Sequence, residues 1–298
     1  CDEVNLYPQS VFNQLMARLS VEGAQCFCNC NPDSPYHWFY TDYIMNDEIT
    51  DKKVWKFLME DNLSLSKSYI ESLKQMYRGV WYERMILGNW VAAEGRIYDM
   101  FDPSKHMLSA EQFIADSRVH LNAIRWLVGC DYGTSTVMSW GLYAKLPDFR
   151  HTGTPVLVKV REFYYDAAKR KVQKTDAEFI EDFKKWLNGL TPWAVYCDPS
   201  AASWKVALMR AGYRVLNANN DVINGIRYVA TCISTGSFVM DKSCVNTEKE
   251  YASYVWDSNA QRLGVDKPLK EHDHTCDTDR YVLYTDSLGG MSGVYNVT

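Results

Sequence analysis

In the second half of the chain, some segments have the continuous apolar run of a buried strand and others have apolar residues at helical spacing. The segment 124–131 (IRWLVGCD) is apolar almost throughout, as in a buried strand, whereas 176–189 repeats its apolar residues at helical spacing. Three consecutive strands followed by alternating helices and strands predict an α/β fold with a mixed sheet and helices on its faces. The strands are predicted at 124–131, 136–144, 156–165, 193–198 and 213–218, and the helices at 176–189, 200–211, 246–263 and 271–285.

The first part of the chain carries fewer such signals. Apolar residues at helical spacing predict helices over 4–20 and 62–78. The segment AQCFCNC at 24–30 predicts a short strand followed by a loop. The aromatic-rich segment 80–101 predicts a connector that packs on the rest of the protein, because its large side chains require burial.

Composition places the chain among ordinary globular proteins. Its 298 residues are 47% hydrophobic and 23% charged, which excludes mini-protein, collagen-like and disordered classes and favours about two domains. No run approaches the about 18 apolar residues of a membrane helix, and no secretory signal is recognisable. The net charge of −5 indicates no global basic field, although a DNA-binding groove can still be locally positive.

The nine cysteines argue against a fully paired disulfide framework and favour a reducing compartment. Cys26, Cys28 and Cys30 alternate, so on a strand they share one face and could form a metal site. However, the chain contains no C-x-x-C pair, which is the common spacing of zinc ligands. We therefore expect these three residues to be small buried apolar side chains.

Two aspartates each follow a predicted apolar strand directly. Asp131 ends 124–131, and Asp198 follows 193–197. Functional sites assemble at the carboxyl ends of strands in α/β sheets, so the pair is a candidate site. The alternative is a turn or helix start, which is credible for Asp198 because Pro199 and Ser200 follow it.

A third acidic segment lies at the start of the last predicted helix. His274 and Asp277 are three residues apart and share one helix face. Asp273 is a candidate cap of this helix, whereas Asp279 faces elsewhere, and Arg280 could pair with an acidic neighbour. The alternative is a solvated helix N-terminus, where acidic residues are favoured by the helix dipole.

Three carboxylates that converge on one sheet edge repel one another unless cations neutralise them. Mg²⁺ or Mn²⁺ does so through hard oxygen ligands, and two such ions activate a water and stabilise the leaving oxygen of a phosphodiester. The sequence therefore predicts a site with two divalent ions, formed by acids from separate strands and from a helix.

A dense basic run lies between the third predicted strand and the following helix. Its cations are Lys169, Arg170, Lys171 and Lys174. They could bind a DNA backbone through its phosphates, and the alternative is a solvated loop.

Three motifs in the second half occur in a recognisable order. They are Cys130-Asp131-Tyr132-Gly133-Thr134, Tyr196-Cys197-Asp198-Pro199-Ser200 and Asp273-His274-x-x-Asp277-x-x-Arg280-Tyr281. Together they resemble the acidic motifs of the ribonuclease-H-like nuclease in the large terminase subunit of tailed bacteriophages. The resemblance implies a ribonuclease-H-like nuclease domain over 120–290, with Asp131, Asp198 and Asp277 as metal ligands and His274 as a ligand or proton shuttle.

Upstream segments resemble the motor domain of the same family. Asp2 and Glu3 are similar to the end of a Walker B motif, and Asn29 and Asn31 lie in a segment similar to the coupling motif. The resemblance implies that 1–95 are the carboxyl-terminal part of a P-loop ATPase domain and its linker, with a connector over 96–119. The sequence contains no G-x-x-x-x-G-K-[ST], so ATP is expected only in a longer chain, and a chain that starts at Cys1 is expected to be a fragment.

The function implied by the resemblance is metal-dependent cutting of concatemeric double-stranded DNA during phage genome packaging. The implied partners are DNA, a small terminase subunit and a portal ring in the host cytoplasm, with no membrane. One alternative is another ribonuclease-H-like nuclease, such as a resolvase or transposase. A second alternative is a non-catalytic DNA-binding assembly protein whose acid cluster is incidental.

Overall fold

The computed structural model describes residues 1–289, which form two compact units. The first unit consists of Cys1–Ile97 and Val255–Leu269. The second consists of Tyr98–Tyr254 and the segment from Lys270 onward. The boundaries 1–95, 96–119 and 120–290 remain predictions, and the last residue of that range, Gly290, lies outside the described residues.

Most helices and all strands of the described residues belong to the second unit. The first unit contains α1 (Gln9–Met16), α2 (Lys67–Met76), α3 (Gly79–Met85) and α11 (Ser258–Arg262). The second contains α4 (Pro103–His106), α5 (Ala110–Asp116), α6 (Ala167–Arg170), α7 (Asp176–Leu187), α8 (Ala202–Arg210), α9 (Val222–Ser234), α10 (Val245–Ser253) and α12 (His274–Ser287). The strands are β1 (Met107–Leu108), β2 (Arg125–Asp131), β3 (Val137–Leu146), β4 (Val156–Asp166), β5 (Ala194–Cys197), β6 (Val215–Asn217) and β7 (Phe238–Asp241).

The seven strands form one mixed sheet in the order β1-β7-β4-β3-β2-β5-β6. β2, β3 and β4 pair antiparallel as a meander, whereas β5 and β6 add to β2 in parallel and β7 adds to β4 in parallel. The parallel strands are reached through helices, as connections between parallel strands require. The predicted mixed sheet with helices on its faces is therefore confirmed.

An aromatic cluster covers one face of the sheet. Trp140 of β3 is fully buried, and its ring centroid lies 3.9 Å from that of Phe163 and 5.8 Å from that of Trp204 on α8. α7 supplies Phe179 and Phe183, which contact the edge of the Trp140 ring. Each such buried side chain contributes roughly 1.5–3 kcal/mol, which fixes α7 and α8 against β2 and β5.

The first unit has short helices around a small aromatic core. Phe12 is the buried residue of α1, and its ring contacts Trp38, Phe39 and Tyr43. The helix predicted over 4–20 forms only over Gln9–Met16. The helix predicted over 62–78 forms as α2, and its N-cap residue Ser66 accepts a hydrogen bond from the Tyr69 amide.

The strand predicted at 24–30 is wrong, since no helix or strand covers these described residues. Near its end, the segment exchanges backbone hydrogen bonds with the first residues of the chain. The Val4 amide donates to the Asn29 carbonyl at 3.0 Å, and the Asn29 amide donates to the Cys1 carbonyl at 3.0 Å. A strand needs a continuous ladder, and these few bonds do not provide one.

The single helix predicted at 246–263 is also wrong, because the chain leaves the helical path between α10 and α11. Val255 forms an isolated bridge with Arg96, and Trp256 forms one with Pro268. The segment is held in the first unit by Arg84, a buried residue that forms an ion pair with Asp266. These contacts override the helical periodicity. α9 and β7 were not predicted from the sequence.

The expectation that three alternating cysteines are buried is wrong for Cys28, which is exposed, while Cys26 and Cys30 are half-buried. Within residues 1–289, the sulfurs of Cys1, Cys26 and Cys28 lie within 4.8 Å of one another. Burial and the neighbouring Cys26 raise the pKa of Cys28 to about 11, which opposes the thiolate that a metal requires.

Helices of membrane-spanning length and hydropathy are absent from the described residues.

Candidate active site

The register of the sheet places two of the predicted acids side by side. Cys130 of β2 pairs with Cys197 of the parallel strand β5, and Asp131 and Asp198 are the next residues on the two strands. Both strands are buried because their side chains pack under the helices on either face. The two carboxylates therefore extend from the same edge of the sheet, as the sequence predicted.

The third acid comes from α12, which packs directly on β2. Gly129 permits this approach, because a Cβ at that position would lie 2.6 Å from the Thr278 carbonyl oxygen and 2.8 Å from a Val282 methyl group. The first turn of α12 thereby reaches the end of β2, where His274 and Asp277 face the acids of the sheet. The predicted helical face shared by His274 and Asp277 is confirmed.

The three acids line one cavity of about 280 Å³ within the second unit. Its other walls contain a lysine, an arginine and two tyrosines. The full lining is Asp131, Tyr132, Asp198, Ser200, Ala201, Asn220, Val222, Lys270, Asp277, Arg280 and Tyr281.

Asp131 pairs with His274. The His274 Nδ1 atom lies 2.8 Å from Asp131 Oδ2, and the two side chains are 24% and 19% exposed. Burial raises the pKa of Asp131 to about 6, although the hydrogen bond with His274 opposes this shift. Burial disfavours a charged imidazole, but the hydrogen bond and the charge of Asp131 outweigh it and raise the pKa of His274.

Asp198 is satisfied by four donors. Its Oδ1 accepts the amide and hydroxyl hydrogens of Ser200 at 2.6 and 2.5 Å, which forms the turn before α8. Its Oδ2 accepts hydrogen bonds from Asn220 at 2.9 Å and from the Tyr281 hydroxyl at 3.0 Å. Burial alone raises the pKa of Asp198, but these hydrogen bonds outweigh it and lower the pKa. Asp198 therefore both forms the turn before α8 and lines the cavity.

Asp277 lies between two cationic side chains. Its Oδ1 accepts hydrogen bonds from the Arg280 guanidinium at 2.8 and 3.2 Å, which confirms that Arg280 pairs with an acidic neighbour. Its Oδ2 accepts a hydrogen bond from Lys270 Nζ at 3.3 Å. Asp277 is only 9% exposed, so these cations offset the cost of its burial.

The side chain of Asp273 does not cap α12, which corrects the sequence prediction. Its Oδ2 forms an ion pair with Lys270 Nζ at 3.0 Å instead. Glu250 of α10 takes the capping role, since it accepts hydrogen bonds from the amide and hydroxyl of Thr275, both at 2.6 Å. Because Glu250 is 25 residues away in sequence, no local motif identifies it.

Asp279 faces away from the cavity, as the helical spacing predicted. It is fully buried and forms an ion pair with the fully buried Lys159 at 2.7 Å. Its carboxylate also accepts hydrogen bonds from the hydroxyls of Tyr143 and Tyr251. Asp279 therefore belongs to a buried polar network between α12, β3, β4 and α10.

The basic run occupies α6 and the loop after it, and none of its four cations lines the cavity. Lys174 pairs with Asp182 and lies over the Tyr165 ring at 4.8 Å. Arg170 lies over the same ring at 5.0 Å. Across residues 1–289, no ion pair engages Lys169, Arg170 or Lys171, so these three cations remain available to a ligand.

The four residues that resemble motor motifs lie in the first unit. The Glu3 amide donates to the Asn29 side-chain oxygen at 2.9 Å, so the segment of Asp2 and Glu3 contacts that of Asn29. Asp2 and Asn31 are exposed. Their role in nucleotide turnover stays a prediction.

The donor set of the cavity suits a hard divalent cation. Asp131, Asp198 and Asp277 offer carboxylate oxygens, and the buried Asp273 Oδ2 accepts no hydrogen bond from the described residues. The donor atoms of the three acids are not all within 4.8 Å of one another in residues 1–289. Asp277 is engaged by Lys270 and Arg280. The donor set of carboxylate oxygens is therefore chemically compatible with a divalent ion.

Known large terminases are similar to this chain over nearly its whole length. The family described as terminase large subunit, T4likevirus-type, N-terminal, matches residues 1–104. The large terminase of a thermophilic bacteriophage, solved in complex with ADP, is 43% identical, with a TM-score of 0.83 over 95% of this chain and 68% of that chain. Another crystal form of the same phage protein gives the same identity and a TM-score of 0.84, covering 95% of this chain and 67% of that chain.

A more distant structure shares the fold alone. The nuclease domain of the P22 large terminase is 15% identical, with a TM-score of 0.51 over 68% of this chain and 96% of that domain. Among curated proteins there is no significant match. Because the chain is 43% identical to the thermophilic-phage terminase and covers 68% of it, it belongs to the bacteriophage large terminase family.

Proposed function

We propose that this protein is the metal-dependent endonuclease that cuts concatemeric double-stranded DNA during phage genome packaging. The observation that carries the proposal is the convergence of Asp131, Asp198 and Asp277 on one cavity in a chain of the large terminase family. A phosphodiester is anionic, so acids at its cutting site require bound cations. The polar cavity at the sheet edge is consistent with that chemistry.

In this proposal, Asp131, Asp198 and Asp277 hold two Mg²⁺ or Mn²⁺ ions. When bound, such ions stabilise the charge that develops on the phosphodiester and lower the pKa of the attacking water. His274 is paired with Asp131, which fixes the orientation of its ring and leaves Nε2 as the second atom for a proton or a ligand. His274 therefore serves as a supporting ligand or proton shuttle.

We propose that Lys169, Arg170, Lys171 and Lys174 bind the DNA backbone. Phosphate contacts of this kind position DNA without reading its sequence. Three of these cations have no carboxylate partner in the described part of the chain, which leaves them free to neutralise phosphates. Lys174 must exchange Asp182 for a phosphate, so we expect it to contribute least.

The wider assembly follows from family membership. A large terminase that acts in genome packaging implies DNA, a small terminase subunit and a portal ring as partners, in the host cytoplasm. The thermophilic-phage terminase was solved with ADP, and we propose that nucleotide binds a motor domain only in a chain that contains a P-loop. A resolvase or transposase is not favoured, because the thermophilic-phage terminase matches 95% of this chain.

The test of the proposal is plasmid cutting. We expect the chain to nick or linearise plasmid DNA in Mn²⁺ or Mg²⁺ and to be inactive in EDTA. The activity is expected to be weak and independent of sequence, because the contacts are to phosphates. Metal-dependent DNA binding without any cutting would instead favour the non-catalytic assembly protein.

Two substitutions in α12 separate a required ligand from a supporting one. We expect Asp277→Asn to abolish cutting, whereas His274→Ala weakens it by ~10–100-fold, as is typical for a supporting ligand or shuttle. The matched control is His272→Asn, at an exposed histidine whose φ of 51° asparagine tolerates. An active Asp277→Asn protein with normal thermal melting would exclude Asp277 as a ligand.

The sequence also predicts the absence of ATP turnover. Because it contains no G-x-x-x-x-G-K-[ST], we expect no ATP hydrolysis above background and no micromolar ATP binding by calorimetry. Glu3→Gln is the control, and it should leave the background rate unchanged. Turnover that co-purifies with the chain and falls in Glu3→Gln would contradict the prediction.

A further inference from the structure

The ammonium group of Lys270 lies between two carboxylates at the acid site. Lys270 Nζ is 3.0 Å from Asp273 Oδ2 and 3.3 Å from Asp277 Oδ2. The lysine side chain is 50% exposed, whereas those of the two aspartates are 10% and 9% exposed. A half-exposed cation therefore neutralises two nearly buried anions.

The two oxygens of Asp277 differ in how firmly they are held. Oδ1 faces the Arg280 guanidinium, which is 3% exposed and packs its stem against α9. Gly225 makes room for that stem, since a Cβ there would lie 2.6 Å from Arg280 Cγ. Arg280 is therefore fixed, and Oδ2, which faces the half-exposed Lys270, is the oxygen available to a metal ion.

A divalent ion on Asp277 Oδ2 and the Lys270 ammonium in its present position exclude each other. A carboxylate-bound Mg²⁺ or Mn²⁺ lies about 2.0–2.2 Å from its oxygen, and Lys270 Nζ is 3.3 Å from the same atom. The two cations would then lie within about 6 Å of each other, where like charges repel strongly in a partly buried site. Lys270 has room to leave, because half of its side chain is in solvent.

We propose that Lys270 is the resident counter-ion of this site and that a divalent cation must displace its ammonium from Asp277. Asp273 remains as the anchor of the displaced lysine, because the ion pair at 3.0 Å engages an oxygen that accepts no hydrogen bond from the described residues. Lys270 thus lowers the metal affinity of the site and neutralises part of the negative charge of the acid cluster without metal. The inference rests on the proposed function, since it concerns the same metal site.

The experiment measures Mn²⁺ binding to the full chain by calorimetry. Lys270→Met keeps the length of the side chain and removes its charge, so we expect Mn²⁺ to bind ~10-fold or more tightly than to the unmodified protein. Lys270→Arg keeps the competing charge and should bind within about 3-fold of the unmodified protein. Lys267→Met is the matched control, because it removes an exposed lysine three residues away and should leave the affinity unchanged.

Thermal melting gives an independent readout that does not depend on cutting. Without metal, Lys270→Met should melt below the unmodified protein, because the two acids lose their counter-ion. Saturating Mn²⁺ should then raise its melting temperature more than it raises that of the unmodified protein. Lys267→Met should show the same Mn²⁺-induced shift as the unmodified protein.

The outcomes distinguish this inference from the proposed function. If Lys270→Met binds Mn²⁺ no more tightly than the unmodified protein, while Asp277→Asn abolishes binding, the metal site stands and the counter-ion role is overturned. If neither the unmodified protein nor Lys270→Met binds Mn²⁺, both the metal site and the counter-ion role fail. The proposal is supported if Lys270→Met binds Mn²⁺ more tightly while Lys270→Arg and Lys267→Met do not.

Discussion

We expect Asp131→Ala to reduce DNA cutting by ~10³-fold or more, because it removes a ligand from the ions that stabilise the transition state. Asp131 lies at the end of β2, next to the end of β5, which Asp198 directly follows. Asp131 also holds His274 at 2.8 Å. In the proposed site, its removal would also free the ring of His274, the proposed supporting ligand or proton shuttle. The measurement is the rate of plasmid nicking in saturating Mn²⁺.

The fold should tolerate this change. Burial raises the pKa of Asp131 to about 6, so burial disfavours its ionised carboxylate in the folded state. We therefore expect Asp131→Ala to melt at or above the temperature of the unmodified protein without metal. Asp116→Ala, at an exposed aspartate of α5, is the control for removal of a negative charge. Near-normal cutting by folded Asp131→Ala would show that the acids of this cavity are not the cutting site.

The largest expected effect on stability comes from Asp279. Asp279→Asn leaves the ammonium of Lys159 fully buried without its counter-ion, and breaking a buried pair in this way costs about 3–5 kcal/mol of unfolding free energy. Burial alone lowers the pKa of Lys159, but the charge of Asp279 outweighs it and raises the pKa, so the lysine is charged in the fold. The measurement is urea unfolding at neutral pH.

A double substitution tests whether the lost stability comes from the unpaired charge of Lys159. Asp279→Leu combined with Lys159→Met removes both charges and should recover most of the lost stability, because apolar side chains of similar volume replace a buried pair at little cost. At a temperature where Asp279→Asn is folded, we expect its cutting to be nearly intact, since Asp279 faces away from the cavity. A stability loss below about 1 kcal/mol in Asp279→Asn would contradict a buried ion pair.

The sequence alone identified the two strands that end at the cavity and the aspartate that follows each of them. Apolar runs defined β2 and β5, and an aspartate after each run predicted a site at the carboxyl edge of the sheet. The three-residue spacing of His274 and Asp277 put both on one face of α12. These inferences succeeded because period and residue type are local properties of the chain.

Local spacing also indicated that Asp279 faces away from Asp277, but it could not show what Asp279 contacts. Its partner Lys159 is 120 residues distant in sequence. Likewise, His274 and Asp131 are 143 residues apart, and Tyr281 and Asp198 are 83 apart. Such pairs depend on how the helix packs on the sheet, which periodicity does not encode.

The errors in the sequence prediction have the same origin. The helix predicted at 246–263 breaks at Val255 because that residue pairs with the distant Arg96, and the segment 24–30 stays irregular because it lacks a ladder partner within residues 1–289. Asp273 lies at the N-cap position but pairs with Lys270, while Glu250 caps the helix. The sequence by itself therefore determined the fold class, the family and which three acids follow the strands or lie on the last helix. Only the tertiary structure decided which cations and hydrogen-bond donors surround each acid. Those contacts arise from packing between segments far apart in the chain.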